Sequence, residues 1–188
     1  NVEQLQAGDK LVIRSHGCSP QIIDQAQKRD IMLIDATCPR VARIHQLVAD
    51  LHEQGYDVVI FGDAAHPEVQ GIVGWCETAR VVKDRAEAEL LPRMDKVGVV
   101  SQTTKEPQDY FAAIAAILPK VKELRVFNTI CSATTNRIKV ARELSQQVDL
   151  MIVIGDAHSS NTATLVRECL NTGVTTYRVQ TAADIQPD

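Results

Sequence analysis

IDATCPRVARIHQLVADL (residues 34–51) and FNTICSATTNRIKVAREL (residues 127–144) share one pattern: a short apolar run, a turn that carries one cysteine, and a helical segment. A strand, a turn and a helix in that order are typical of open α/β sheets, whose ligands bind at the carboxyl ends of the strands. The two stretches therefore predict a parallel α/β fold with Cys38 and Cys131 in the turns that line a ligand crevice.

The similarity continues downstream of both cysteines. A glycine, an aspartate and a polar residue follow each cysteine at the same three offsets. They are Gly62, Asp63 and His66 in the first copy and Gly155, Asp156 and Ser159 in the second. Upstream, KLVIRSHG before Cys38 resembles KVGVVSQT before Cys131, which aligns Ser15 with Ser101. The chain thus contains a duplicated α/β unit.

Short β-branched runs alternate with helical patterns along the whole chain. Apolar residues at helical spacing predict helices over residues 40–54 and 110–118. The alternation predicts repeated parallel α/β units. The predicted strands are LVIRS (11–15), IMLI (31–34), VVIFG (58–62), ARVV (79–82), VGVVS (97–101), LRVF (124–127), LMIVIG (150–155) and TTYRV (175–179).

The repeat predicts how the chain is divided. Residues 1–37 are expected to be the end of a first α/β unit, residues 38–130 a complete second unit, and residues 131–188 a partial third unit. The first and third units are therefore expected to be incomplete in this chain. A cysteine turn of the first unit is expected before residue 1, so that three units would supply three thiolates to one centre.

Composition narrows the classes of protein to consider. Among the 188 residues, 45% are hydrophobic and 23% are charged, which is typical of a soluble globular protein. A formal net charge of -4 and an aromatic content of 4% argue against a nucleic-acid partner. The apolar runs have the length of strands and are too short to cross a membrane. Five cysteines without a CxxC pair argue against a disulfide framework and favour a reducing compartment.

The repeated cysteines are candidate metal ligands. Burial as a small apolar side chain is the usual alternative for a cysteine, but the matched positions of Cys38 and Cys131 favour ligation. Zinc remains an alternative, although structural zinc sites generally use closely spaced ligand pairs, and an iron–sulfur cluster held by separate units fits better. Cys18, Cys76 and Cys169 have no counterpart in the repeat, and we interpret them as structural thiols.

Two further segments carry candidate polar groups. GDAAHPEVQG places His66 and Glu68 after a strand, where they could bind an anion and deliver a proton, or could merely belong to a solvated helix start. GDAHSSNTATL places Ser159, Ser160 and Asn161 at the equivalent helix start, where they could bind phosphate or simply cap the helix.

The turns aligned through Ser15 and Ser101 also carry polar side chains. His16 lies in the first of these turns and Thr103 and Thr104 in the second, although each could have a purely structural role. No role is predicted for the remaining histidines, which are expected on a helix surface or in a turn: His45, His52 and His158.

Five motifs in this order, DATCPxV, GxxxHPEVxG, SQTT, CxATTNR and SSNxxxL, together resemble the 4-hydroxy-3-methylbut-2-enyl diphosphate reductase family, which acts last in the non-mevalonate isoprenoid pathway. The resemblance implies three α/β units in a pseudo-threefold arrangement around a 4Fe–4S cluster with an open iron site. It also implies reductive removal of the substrate hydroxyl, which gives isopentenyl and dimethylallyl diphosphates.

The resemblance assigns expected roles to residues of this chain. Cys38 and Cys131 would be two of three cluster ligands, with the third outside this chain. Glu68 would donate a proton, assisted by Thr103. An imidazolium would bind a diphosphate more strongly than a neutral donor. The expected substrate-binding residues are His16, His66, Thr104, Thr134, Ser159, Ser160 and Asn161.

The resemblance further implies an electron donor, a ferredoxin or a flavodoxin, and a place in the bacterial cytoplasm, with the plastid stroma as the alternative. Neither a nucleic acid nor a membrane is expected as a partner. Two thiolates alone are expected to hold a four-iron cluster poorly. The expected activity therefore applies to the full-length protein, and for this stretch by itself activity and inactivity both stay open.

Two other functions are compatible with the same residues. The first is a non-redox α/β module that binds a phosphorylated metabolite and is indifferent to loss of Cys38 and Cys131. The second is a zinc-dependent hydrolase in which Glu68 acts as a general base.

Overall fold

A computed structural model describes residues 2–185, except for the side chains of Ser132, Thr134, Thr135 and Ser160. Within this range eight strands alternate with seven helices, which confirms the α/β class and every predicted strand. The strands are β1 (Lys10–Ile13), β2 (Met32–Asp35), β3 (Asp57–Phe61), β4 (Arg80–Val82), β5 (Met94–Ser101), β6 (Val121–Val126), β7 (Leu150–Ile154) and β8 (Thr175–Val179). The helices are α1 (Pro20–Lys28), α2 (Pro39–Glu53), α3 (Pro67–Val73), α4 (Arg85–Glu89), α5 (Pro107–Ile117), α6 (Ser132–Ser145) and α7 (Ser160–Leu170).

The described strands pair in parallel in three sheets. β1 pairs with β2, the middle sheet has the order β4-β3-β5-β6, and β7 pairs with β8. By its contacts the chain divides into two compact units, Asn1–Ile130 and Cys131–Asp188. The first unit contains the first two sheets and the second unit contains the third. The pseudo-threefold arrangement and the three-unit division stay predictions.

The middle sheet is covered on both faces, and its central strand shows why. Residues 58–61 of β3 are at most 1% exposed, and their side chains alternate between two apolar clusters. A strand buried on both faces has no polar alternation, which explains the uninterrupted run VVIF. One cluster contains α2 and α3 residues, among them Ile44, Val48 and Ile72. The other contains α5 residues, among them Tyr110, Ala113 and Ile117.

Backbone hydrogen bonds extend the ladders past the strand ends and so fix the turns that follow them. The amide of Gln102 donates to Phe61 O at 2.8 Å, and the amide of Cys38 donates to Ser15 O at 3.1 Å. The first bond holds the turn after β5 against the carboxyl end of β3, and the second joins the turns after β1 and β2. The turns thus lie side by side at the carboxyl ends of parallel strands, as the sequence pattern predicts.

The second unit packs α6 and α7 against β7 and β8. Its described core contains Met151, Val153 and Cys169. Arg142 of α6 forms a hydrogen bond and an ion pair with the carboxylate of Glu168 on α7, which is 4% exposed. No helix in the described range combines the length and the apolar character that crossing a bilayer requires.

Candidate active site

A buried carboxylate joins two turns of the first unit. Glu68, in the first turn of α3, is 2% exposed. Its Oε1 accepts a hydrogen bond from the backbone amide of Thr103, and its Oε2 accepts one from Thr103 Oγ1, both at 2.7 Å. Burying a carboxyl group without partners is costly, and these two bonds offset that cost. The sequence-predicted pair of Glu68 and Thr103 is therefore brought together by the fold.

Gln102 also connects the turn after β5 to the turn after β3. Its side chain is 2% exposed, its Oε1 accepts from the Asp63 amide at 3.0 Å, and its Nε2 donates to Thr104 Oγ1 at 2.9 Å. This contact orients the Thr104 hydroxyl and fixes Thr103 relative to the turn after β3. Gln102 was not predicted as a site residue, although its place inside SQTT was the available signal.

Two histidine rings lie beside this carboxylate. His66 precedes α3 as its N-cap, and its Nδ1 accepts from the Glu68 amide at 3.2 Å. The His16 ring meets the His66 ring edge-on, with centroids 5.5 Å apart. His16 Nδ1 is buried and has no hydrogen-bond partner. The predicted His16 and His66 are thus neighbours.

The surroundings of His66 affect its protonation. Burial lowers the pKa of His66, His16 and Lys105 lower it further, and Glu68 opposes them. Because Nδ1 accepts a hydrogen bond, the proton of the neutral ring is on Nε2. The lowered pKa favours this neutral ring with its Nε2–H donor, and an imidazolium that binds the diphosphate stays a prediction.

The duplicated Gly-Asp turns are alike in their atomic contacts. In each copy the glycine amide bonds to the neighbouring strand, the aspartate Oδ1 accepts from a nearby amide, the polar residue caps the helix, and a Cβ on the glycine would collide with the helix. In the first copy the hydrogen bonds join Gly62 to Val82, Asp63 to Ala65 and His66 to Glu68, and the collision would be with Val69. In the second copy they join Gly155 to Val179, Asp156 to His158 and Ser159 to Thr162, and the collision would be with Thr162.

In the second unit, polar atoms gather at the start of α7. Ser159 Oγ accepts from the Thr162 amide at 3.3 Å, so the hydroxyl caps the helix and keeps its own proton for donation. Asn161 Oδ1 is buried and has no hydrogen-bond partner. The predicted side chains of Thr134 and Ser160 lie outside the described residues.

Both repeated cysteines are N-cap residues. Cys38 precedes α2 and Cys131 precedes α6, each with a non-helical backbone and without a capping hydrogen bond from its side chain. Cysteine sulfur is the usual ligand of iron–sulfur clusters. The two residues therefore fit the chemistry of such a group. Among residues 2–185, no three histidine, cysteine, aspartate or glutamate side chains form a group that could hold a metal ion.

Cys18 has a different environment. Burial raises the pKa of its thiol, and the charge of Asp35 raises it further. A protonated thiol is a poor metal ligand. The structure thus offers no electrostatic support for ligation by Cys18, in line with its lack of a counterpart in the repeat.

A family model described as LytB protein matches residues 1–188. The chain belongs to the LytB protein family. A curated relative in Citrifermentans bemidjiense, named 4-hydroxy-3-methylbut-2-enyl diphosphate reductase, is 42% identical over 98% of this chain and 66% of its own length. A relative of the same name in Caldanaerobacter subterraneus subsp. tengcongensis is 43% identical over 98% of this chain and 64% of its own length. The LytB-family chain thus spans about two thirds of the length of these relatives.

Solved structures agree with this assignment. The E-1-hydroxy-2-methyl-but-2-enyl-4-diphosphate reductase of Plasmodium falciparum aligns with a TM-score of 0.86 at 29% identity, over 98% of this chain and 60% of that one. A structure described as (E)-4-hydroxy-3-methyl-but-2-enyl diphosphate reductase, the terminal enzyme of the non-mevalonate pathway, aligns with a TM-score of 0.74 at 36% identity, over 98% and 67% of the two chains. The LytB-family chain therefore has the fold of these reductases over nearly its whole length.

The contact between Thr103 and Glu68 generates a stability prediction. Thr103→Val removes the hydroxyl donor and leaves Glu68 Oε2 buried without this bond, so the free energy of unfolding should fall by about 1–3 kcal/mol. Thr103→Ser keeps the hydroxyl and should lose less. Urea denaturation at pH 7 measures both. Equal stability of the Val and Ser variants would contradict the structural importance of this hydrogen bond.

Proposed function

We propose that the protein reduces 4-hydroxy-3-methylbut-2-enyl diphosphate to isopentenyl and dimethylallyl diphosphates. The allylic carbon–oxygen bond breaks, two electrons and two protons are taken up, and the hydroxyl leaves as water. The observation that carries the proposal is the buried Glu68 carboxyl group, hydrogen-bonded to Thr103 in a LytB-family chain. The names of the relatives support the substrate.

Cys38 and Cys131 would hold a 4Fe–4S cluster together with a third cysteine outside this chain. When bound, the cluster supplies single electrons and an open iron that acts as a Lewis acid. The N-cap positions of both residues support this role, because equivalent turns of the repeat present one cysteine each.

Glu68 and Thr103 would deliver a proton to the leaving hydroxyl. Hydroxide is a poor leaving group and water a good one, so a positioned acid lowers the barrier. Thr103 Oγ1 lies 2.7 Å from Glu68 Oε2. A protonated Glu68 can donate through Oε2 to Thr103 Oγ1, which then donates its own proton to the substrate hydroxyl. The Thr103 amide holds the other carboxyl oxygen and keeps the pair aligned.

The diphosphate would be bound by neutral donors in the first unit. His66 offers its Nε2–H, because Nδ1 is occupied by the Glu68 amide. His16, whose ring abuts that of His66, and the Thr104 hydroxyl would join it. In the second unit the proposed diphosphate ligands are Thr134, Ser159, Ser160 and Asn161.

The remaining features follow from the same proposal. A ferredoxin or a flavodoxin would supply the electrons one at a time, and the protein would act in the bacterial cytoplasm. Residues 1–37, 38–130 and 131–188 would be parts of three α/β units in a pseudo-threefold arrangement around the cluster.

Replacing the acid tests its proposed role in proton delivery. In the full-length protein, Glu68→Gln keeps the size of the side chain but cannot release a proton, so kcat should fall about 100-fold or more. Iron content and the affinity for inorganic pyrophosphate should not change. Glu53→Gln, on the exposed end of α2, is the matched control and should behave as wild type. Normal turnover in Glu68→Gln would exclude the proton-donor role, and loss of iron would show that Glu68 is structural.

Replacing the cysteines tests the cluster. In anaerobically purified full-length protein, Cys38→Ser and Cys131→Ser should each lose most iron and acid-labile sulfide, because a hydroxyl is a poor substitute for a thiolate ligand. Cys18→Ser should retain both, because Cys18 is not a proposed ligand. A wild-type protein that binds pyrophosphate but never iron would instead support the non-redox metabolite-binding module.

A further inference from the structure

His45 is a buried histidine that the proposed chemistry does not use. It was expected on the surface of a helix, but it lies on the inner face of α2 with 5% exposure, so that expectation is wrong. Its ring stacks on Trp75, with centroids 5.2 Å apart and an interplanar angle of 21°. Its Nε2 is buried and has no hydrogen-bond partner. Packing of the ring therefore makes the main contribution to its position.

The Cε1 edge of the His45 ring contacts the turn that presents His16. Gly17, the next residue, has a φ of +72°, and a Cβ built on it would lie 2.3 Å from His45 Cε1. No side chain larger than hydrogen fits between this turn and the imidazole. The Gly17 amide donates to Arg14 O at 2.9 Å, which closes the turn around His16.

Trp75, which follows α3, also binds the loop that carries Gly17. Its Nε1 donates to Cys18 O at 3.1 Å. One residue earlier, a Cβ on Gly74 would lie 2.1 Å from Ser19 Cβ, so the chain after the turn rests directly on the helix end. His45 thus contacts this loop directly at Gly17, and the indole stacked on its face binds the same loop at Cys18.

The ionisation state of His45 suits a packing role. Burial lowers the pKa of His45 to about 4, with Asp35 opposing the shift. The ring is therefore neutral at pH 7 and can stack on an indole without a counter-charge.

We propose that His45 is a positioning residue for diphosphate binding: its imidazole, stacked on Trp75 and in edge contact with Gly17, fixes the turn that presents His16. The proposal rests on the proposed function, because it takes His16 as a diphosphate ligand. Without the contact between the imidazole and Gly17, the turn gains conformational freedom, which it must lose again when the diphosphate binds. Ordering a side chain on binding costs about 0.5–1.5 kcal/mol, so affinity for the diphosphate should fall roughly 2- to 12-fold while the chemical step is unchanged.

A double-mutant cycle in the full-length, cluster-containing protein tests the contact. The variants are Gly17→Ala, His45→Ala and the pair, and the probe is inorganic pyrophosphate in a calorimetric titration. Gly17→Ala drives a methyl group into the imidazole and should weaken binding. In the double variant that methyl group occupies vacated space, so the affinity should recover above that of Gly17→Ala. Gly55→Ala is the matched control: its φ is +76°, but nothing lies within 4 Å of the added Cβ. It should lose stability without losing affinity.

Ring shape and steady-state kinetics provide the second test. His45→Phe retains a flat ring and should keep pyrophosphate affinity within about twofold of wild type. His45→Leu and His45→Ala lack such a ring, and each should weaken the affinity. The weakened variants should show a raised KM for the diphosphate substrate and an unchanged kcat, with thermal unfolding recorded alongside.

Several outcomes overturn the proposal. Additive effects in the cycle, or wild-type affinity in both His45→Ala and His45→Leu, would exclude positioning by His45. A fall in kcat alone would do the same. These results leave the proposed function intact when the wild-type protein binds pyrophosphate and turns over substrate. If the wild-type protein neither binds pyrophosphate nor turns over substrate, both the proposed function and the positioning role of His45 are wrong.

Discussion

The two hydrogen bonds from Thr103 to Glu68 are the constraint on which the first unit's site depends. A carboxyl group with 2% exposure needs partners for both oxygens, and a single residue supplies them through its backbone amide and its hydroxyl. The start of α3 is thereby tied to the turn after β5. His66 caps the same helix, so its tautomer is set by the same helix start. Acid, hydroxyl and imidazole are fixed as one group.

The duplicated turns show how one scaffold can carry different chemistry. The Gly-Asp turns after β3 and β7 share their backbone bonds and the close approach of helix to glycine. The N-cap differs: His66 presents an imidazole, and Ser159 a hydroxyl. In the first copy the helix continues with a buried acid, Glu68, and in the second with Asn161. Repetition thus preserves the backbone framework, while the side chains at the helix start differ, as do the roles we propose for them.

Much of the fold followed from the sequence because its signals are local. The run VVIF in β3 has the composition of a strand buried on both faces, and the apolar spacing over residues 40–54 predicts α2 almost to its ends. The pairing of Glu68 with Thr103 came from the resemblance. The burial of His45 agrees with its helical spacing from Val41 and Val48 on the apolar face of α2. Its contacts with Trp75 and Gly17 could not be predicted, because these residues are distant in sequence. The tautomer of His66 depends on a cap hydrogen bond that composition does not reveal.

Proton delivery from Glu68 through Thr103 is tested most directly by a crystal structure of the full-length protein with the diphosphate substrate bound. The distance from Thr103 Oγ1 to the substrate hydroxyl is the quantity to measure. We expect a hydrogen bond of about 2.7 Å between these oxygens, with the bond from Thr103 Oγ1 to Glu68 Oε2 retained. A substrate hydroxyl that lies beyond hydrogen-bond reach of both Thr103 and Glu68 would contradict it.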